Sequence, residues 1–214
     1  MLLVAHRTPE TAAGCAALAA AGATCFELDV QVSHERLVVS HFLPVLRRRG
    51  WLENDNWRVR RSSSAVGDRS VRDVVQLVPG DRGILLDLKE VEPRRRSELN
   101  RLIAAELTDR TRFRVNSRNR DDLAELASAG FRTWRTIGSR RDLDSTMSDG
   151  PLPDEAVTVR HRLLTPSTIE RLHALVPVVV AWTVNDVSRA RWLRNQGVDG
   201  LTTDNRTVLV RARI

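Results

Sequence analysis

The sequence predicts an α/β fold, a compact (β/α)8 barrel with a polar excursion after its second strand. Three observations carry this reading. Eight short apolar runs recur along 214 residues, segments with helical spacing lie between most of them, and polar residues gather at the ends of the runs. Alternating strands and helices imply a parallel sheet, and eight repeats suit a closed barrel.

The first run, "LLVA" at 2–5, precedes the alanine-rich "TPETAAGCAALAAAGA", a helix expected to stop near Gly22. The second is "CFELDV" at 25–30. From roughly 42 to 80 the rhythm breaks: "RRRGWLENDNWRVRRSSSAVGD" is polar, turn-rich and without clear periodicity. It reads as an excursion over the top of the barrel, with a disordered surface insertion as the competing reading for its serine-rich middle. "GILLDL" at 83–88 resumes the pattern, and "PRRRSELNRLIAAEL" then sets Leu99, Leu102, Ile103 and Leu107 on one helix face. "FRV" at 113–115 leads to "NRDDLAELASAG", with Asn119 as a cap and Gly130 as a stop. "FRTW" at 131–134, "AVTV" at 156–159, "VPVVVAWTV" at 176–184 and "GLTT" at 200–203 complete the runs. Helices are expected over "TPSTIERLHAL" and "DVSRARWLRNQG" among them. Residues 1–214 thus read as one barrel domain.

Composition narrows the function. Hydrophobic content of 42% with 29% charged residues is ordinary for a globular protein, and no apolar run approaches the ~20 residues that cross a bilayer. "MLLVAHRTPE" has no basic region and too short an apolar run for a secretory leader, so the cytoplasm is the expected location. Cys15 and Cys25 lack metal-ligand spacing and read as small core residues. The net charge is +7, and Lys89 is the one lysine among 34 basic residues. Separated arginine clusters, 4% aromatics, no tyrosine and no zinc-finger motif argue against a specific nucleic-acid partner. Attraction to phosphate-bearing substrates or weak association with anionic surfaces stays open.

The polar residues at the strand ends carry the chemistry. In a barrel of this kind strand carboxyl ends meet over one mouth. His6 and Arg7 follow the first run, Glu27 and Asp29 lie late in the second, and His41 ends "LVVSH". Asp87 and Lys89 close "GILLDLK"; Trp182, Asn185 and Asp204 close the last two runs. Glu27 and Asp29 are two apart, so they face the same way on a strand, and a buried pair of carboxylates calls for a cation. With Asp87 they offer hard oxygen ligands for Mg²⁺ or Ca²⁺. Arg7 and Lys89 can grip a phosphate, and His6 and His41 can serve as acid and base. Phosphodiester cleavage needs this set. Asn185 and Asp204 read equally as strand-end caps, Trp182 as a pocket wall or a barrel core residue, and His34, His161 and His173 as peripheral.

In order along nearly the whole chain, "HR" at 6–7, "PET" at 9–11, "GATCFELDV" at 22–30, "VVSH" at 38–41, "LLDLK" at 85–89, "AWTVN" at 181–185 and "GVDGLTTD" at 197–204 resemble the motifs of the glycerophosphodiester phosphodiesterases. The resemblance implies a TIM barrel that converts a small glycerophosphodiester to glycerol 3-phosphate and an alcohol. It implies His6 and His41 as the acid–base pair, Glu27, Asp29 and Asp87 as ligands of a divalent cation, and Arg7 and Lys89 as phosphate contacts. Trp182 would line the glycerol pocket.

The chain also departs from that pattern. Thr8 stands where the family has glycine, the loop before "PET" is short, Phe42 replaces an aspartate, and Asp87 is a methylene shorter than the glutamate of many members. These departures frame two alternatives, a catalytically impaired anion-binding module on the same fold and a related lyase-type phospholipase D acting on lysolipids.

Overall fold

The computed structural model describes residues 1–39, 69–89 and 93–212. The strands are β1 (Leu2–Ala5), β2 (Cys25–Ser33), β3 (Arg36–Val39), β4 (Arg69–Ser70), β5 (Gly83–Leu88), β6 (Phe113–Ser117), β7 (Arg132–Ile137), β8 (Ala156–Arg160), β9 (Val178–Trp182) and β10 (Gly200–Thr203). The helices are α1 (Ala12–Ala21), α2 (Val71–Leu77), α3 (Pro93–Glu106), α4 (Arg120–Ser128), α5 (Arg140–Ser148), α6 (Pro166–His173), α7 (Val187–Asn195) and α8 (Arg206–Arg211).

Eight strands form a closed parallel barrel in the order β1, β10, β9, β8, β7, β6, β5, β2, with β1 pairing β2 to close the ring. All eight expected runs are these strands. β3 and β4 stand outside the ring: β2 runs on past the barrel and pairs antiparallel with β3, Val30 against Val39 and Ser33 against Arg36. His34 and Glu35 make the turn in the left-handed region, with φ of 49° and 59°.

Helix ends follow local chemistry. Thr11 accepts a hydrogen bond from the Gly14 amide at the start of α1, and Gly22 closes that helix at φ 119°. Asn119 caps α4, and Ser139 with Asp142 forms a reciprocal capping box on α5. α3 buries Leu99, Leu102 and Ile103, with Leu107 buried just beyond its end.

Residues 40–68, and with them His41 and the middle of the expected excursion, lie outside the described residues. The boundary of that excursion needs correction. Regular structure returns at residue 69, not near 80: β4 pairs with β3, Ser70 caps α2, and Val71 and Val74 are buried. Two anchors seven residues or fewer apart give too short a pattern to register as periodic in the sequence.

Strand alternation separates two apolar layers. Leu3, Ala5, Phe26, Leu28, Ile84 and Leu86 face outward under the helices. Val4, Cys25, Leu85, Trp134, Ala156 and Val180 fill the barrel interior. Both cysteines are free and buried, and burial pushes the Cys25 thiol up to about 12, as befits core residues. Each fully buried large side chain contributes roughly 2 kcal/mol. Two residues further along the same strands, the interior face carries His6, Glu27, Asp87, Thr136, Thr158 and Trp182. The apolar plug therefore ends where the polar mouth begins. No helix among the described residues is long and apolar enough to cross a membrane.

Candidate active site

β2 and β5 are hydrogen-bonded neighbours with Glu27 opposite Leu85 and Asp29 opposite Asp87, so parity brings their three carboxylates to one spot. Ligand oxygens of Glu27, Asp29 and Asp87 lie within 4.8 Å of one another. Glu27 and Asp29 are almost fully buried, at 3% and 4% exposure. Burial, and then the charges of Asp29 and Asp87, push the Glu27 carboxyl well above its ordinary value; Lys89 and the Arg7 amide pull the other way. The all-oxygen donor set of these three carboxylates fits a divalent cation such as Mg²⁺ or Ca²⁺.

Lys89 sits among these acids. Its ammonium lies 2.9 Å from Asp29 Oδ1 and also contacts Asp87 Oδ2. The neighbouring carboxylates, Asp87 first, hold it protonated against the opposing cost of burial. The residue expected to hold phosphate is thus ion-paired with two expected metal ligands. Arginine would bring a planar fork too wide for that space, a physical reason for lysine at this position.

The first loop wraps Glu27 as well. The Arg7 amide donates to Glu27 Oε2 at 2.8 Å, and Arg7 takes φ 60° to do so. The Thr8 amide and hydroxyl both donate to the Glu27 carbonyl, at 3.0 and 2.8 Å. Just past β1, the strand next to β2 in the ring, His6 Nδ1 lies 2.6 Å from Asp204 Oδ1. Asn185 Nδ2 donates to the other Asp204 oxygen at 3.0 Å, and its Oδ1 accepts from the Asp204 amide and the Thr203 hydroxyl. The His6 hydrogen bond, first among its neighbours, lowers the Asp204 carboxyl to about 2. The two residues read equally as caps thus orient a histidine.

One network escaped sequence reasoning. Asn116, on β6 opposite Asp87, donates from Nδ2 to Asp87 Oδ1 at 3.0 Å. Its Oδ1 accepts from the hydroxyls of Thr136 at 2.8 Å and Thr158 at 2.9 Å. The amide side chain of Asn116, one residue before the end of the strand "FRVNS", was the available signal. Trp182 ends β9 half-buried, and its Nε1 has no partner among the described residues. His34 is exposed, and His173 bonds the Gly197 carbonyl, both as expected. His161 lies just past β8, where burial and then Arg189 lower its basicity.

A cavity of about 550 Å³ opens at the opposite end of the barrel, lined by Leu2, Arg114, Trp134, Glu155 and Asp199 among others. None of His6, Arg7, Glu27, Asp29, Asp87, Lys89 or Asp204 lines it. The mouth at the strand carboxyl ends, with its converging acids and oriented histidine, is the reactive end.

The mouth of this (β/α)8 barrel gathers three carboxylates, a lysine and a carboxylate-bound histidine. Residues 115–207 match the model of the glycerophosphoryl diester phosphodiesterase family. Solved structures share the whole fold. An Oleispira antarctica phosphodiesterase, in complex with the product sn-glycerol-3-phosphate, superposes with a TM-score of 0.74 at 15% identity, covering 100% of this chain and 97% of its own. A glycerophosphodiester phosphodiesterase from Thermotoga maritima superposes with a TM-score of 0.71 at 22% identity, covering 99% and 97%. No curated protein matches the sequence.

Proposed function

We propose that this chain hydrolyses glycerophosphodiesters to glycerol 3-phosphate and an alcohol, using a divalent cation held by Glu27, Asp29 and Asp87. The observation that carries the reading is the meeting of those carboxylate oxygens, within 4.8 Å, at the mouth of the barrel. The family match over residues 115–207 and the product held by the Oleispira antarctica protein support the same substrate class.

When bound, Mg²⁺ or Ca²⁺ stabilises phosphoryl charge and lowers the pKa of a coordinated hydroxyl. The chain's own groups supply the rest. With Nδ1–H donated to Asp204, His6 presents Nε2 as the proton acceptor for an attacking glycerol hydroxyl. His41 is assigned the opposite role, giving a proton to the departing alcohol oxygen as its bond to phosphorus breaks. Water then opens the cyclic phosphate, and the two histidines exchange roles. Arg7 and Lys89 bind phosphate oxygens, and the half-buried Trp182 packs against the glycerol. The site binds a small phosphodiester and needs no nucleic acid or membrane. One domain spanning residues 1–214, working in the cytoplasm, completes the proposal.

The test is release of glycerol 3-phosphate from soluble glycerophosphodiesters with Mg²⁺, Ca²⁺ or EDTA. Cation-dependent release, lowered about 10²- to 10⁴-fold in both His6→Ala and His41→Ala, is expected. No release by folded, cation-loaded protein would overturn the reading. A cyclic phosphate as the final product would replace it with a lyase.

A further inference from the structure

We propose that Arg118 and Arg160 form a basic rim on one side of the mouth that binds a second anionic group, a phosphate or carboxylate on the alcohol half of the substrate. This rests on the phosphodiesterase reading above and goes beyond it by naming the head-group class.

Strand parity places both side chains. Asn116 faces the barrel interior, bonded to Asp87, Thr136 and Thr158. Arg118 follows two residues later and belongs to the same face. Thr158 faces inward through its bond to Asn116, and Arg160, two residues on, shares its face opposite Trp182. Asp87 pairs with Asn116, and Lys89 and Arg118 each follow that pair by two residues, past the ends of β5 and β6. The rim therefore begins one strand, ~5 Å, from the lysine assigned to the scissile phosphate.

Gly138 supplies the independent observation. A Cβ at Gly138 would lie 2.5 Å from Arg118 Nη2, 3.0 Å from its Cζ and 3.5 Å from its Nε. The guanidinium, Nη2 nearest, occupies the space of the missing side chain just past the end of β7, between the strands that lead to Arg118 and Arg160. Gly138 is not among the glycines with positive φ, so the backbone does not require it. What the position requires is room for Arg118.

Neither guanidinium has a carboxylate partner among the described residues. Asp142, at the start of the helix that follows Gly138, is engaged by the Gly138 and Ser139 amides. Arg118 is exposed and Arg160 half-buried. Two guanidiniums without a carboxylate partner among the described residues, beside a site proposed to bind one phosphate, suit a bidentate anion on the leaving group. They disfavour a cationic head group.

The experiment compares glycerophosphoglycerol, glycerophosphoglycerol phosphate and glycerophosphocholine, by kcat/KM and by calorimetric binding. The phosphorylated head group is expected to exceed the uncharged one by about 10-fold, the scale of one charge-assisted contact, and choline to rank last. Arg118→Ala and Arg160→Ala each lower that ratio several-fold, mainly through KM, and the double variant brings it near one. Gly138→Ala acts through Arg118, so adding it to Arg118→Ala changes nothing more. Arg171→Ala, an exposed charge in the last turn of α6, leaves the ratio unchanged. Turnover without head-group preference, or a preference indifferent to both arginines, overturns the rim alone. If no compound is hydrolysed, the phosphodiesterase reading fails, and equal binding of the three compounds then overturns the rim as well.

Discussion

His6 Nδ1 lies 2.6 Å from Asp204 Oδ1, joining residues 198 positions apart across the closing seam of the barrel. β1 and β10 are parallel neighbours with Ala5 opposite Thr203, so the residues that follow each strand are neighbours too. The contact fixes the ring and puts the proton on Nδ1, leaving Nε2 for substrate. Asp204→Asn keeps the shape but offers the amide's donor or a weaker acceptor, so the wrong tautomer is stabilised. A fall in kcat of about 100-fold with little change in KM is expected from steady-state kinetics. Asn185→Ala, which loosens Asp204 without removing it, should cost about 10-fold or less.

The same pair sets an acid limit. Asp204 is lowered to about 2 in the folded chain from an ordinary 3.8. Its contribution to stability is fully present above 3.8 and is lost as pH falls toward 2. Removing the carboxylate should therefore flatten the acid end of a denaturation curve. Comparing urea midpoints of the parent and Asp204→Asn between pH 5 and pH 2.5, the gap should narrow as pH falls. A constant gap would refute the coupling.

Glu27 has the opposite sign. Its carboxyl is raised well above 4.5, so without a cation the folded chain holds a proton that the unfolded chain releases. Stability from this group is present below 4.5 and lost as pH rises through the higher folded value. In EDTA the melting temperature should decline with rising pH, and saturating Mg²⁺ or Ca²⁺ should remove that decline. Glu27→Gln should be more stable than the parent in EDTA, since a crowded buried charge is gone, yet gain little from the cation. A Glu27→Gln protein stabilised by cation as strongly as the parent would exclude Glu27 as a ligand.

The strands were legible because alternation is local: "CFELDV" shows its apolar and acidic faces in six residues. Glu27 and Asp29 were legible as one face through their spacing of two, and Asp87 as a carboxylate at a strand end. Asp204 was not assignable, since nothing in "TTDN" distinguishes a cap from a histidine's partner; only barrel closure does. Asn116 was hidden for the same reason, because its three partners lie on β5, β7 and β8. α5 and α8 lack long apolar stripes and form on caps and packing, so periodicity passed them over. The return of structure at residue 69 depends on pairing with β3, again a relation between distant segments.

Asn116 makes a quantitative test of that hidden layer. It is buried at 6% exposure and serves as donor to Asp87 and acceptor from two threonines. Asn116→Ala leaves those groups unpartnered and should cost about 2 kcal/mol in chemical denaturation. Cation affinity, read by calorimetry, should also fall about 10-fold or more as Asp87 loses its orientation. Asn116→Asp should be worse for folding, adding a charge beside Asp87, and should partly recover with cation.

Thr8 decides between a working site and an impaired one. The family's glycine at this position suggests a backbone freedom that threonine lacks, yet the left-handed conformation here belongs to Arg7, at φ 60°. Thr8 instead adds a hydroxyl bond to the Glu27 carbonyl, beside the bond its amide makes. The first loop is therefore fastened to β2, the strand that carries Glu27 and Asp29, and threonine contributes to that hold. Thr8→Val, which deletes the hydroxyl, should lower stability by about 1 kcal/mol and weaken cation binding slightly. Thr8→Gly should lower stability further by loosening the unfolded chain, and should not raise kcat by more than about 3-fold. A Thr8→Gly protein that turns over glycerophosphodiesters while the parent does not would show that this substitution had ended catalysis, and would make the anion-binding module the right description of the native chain.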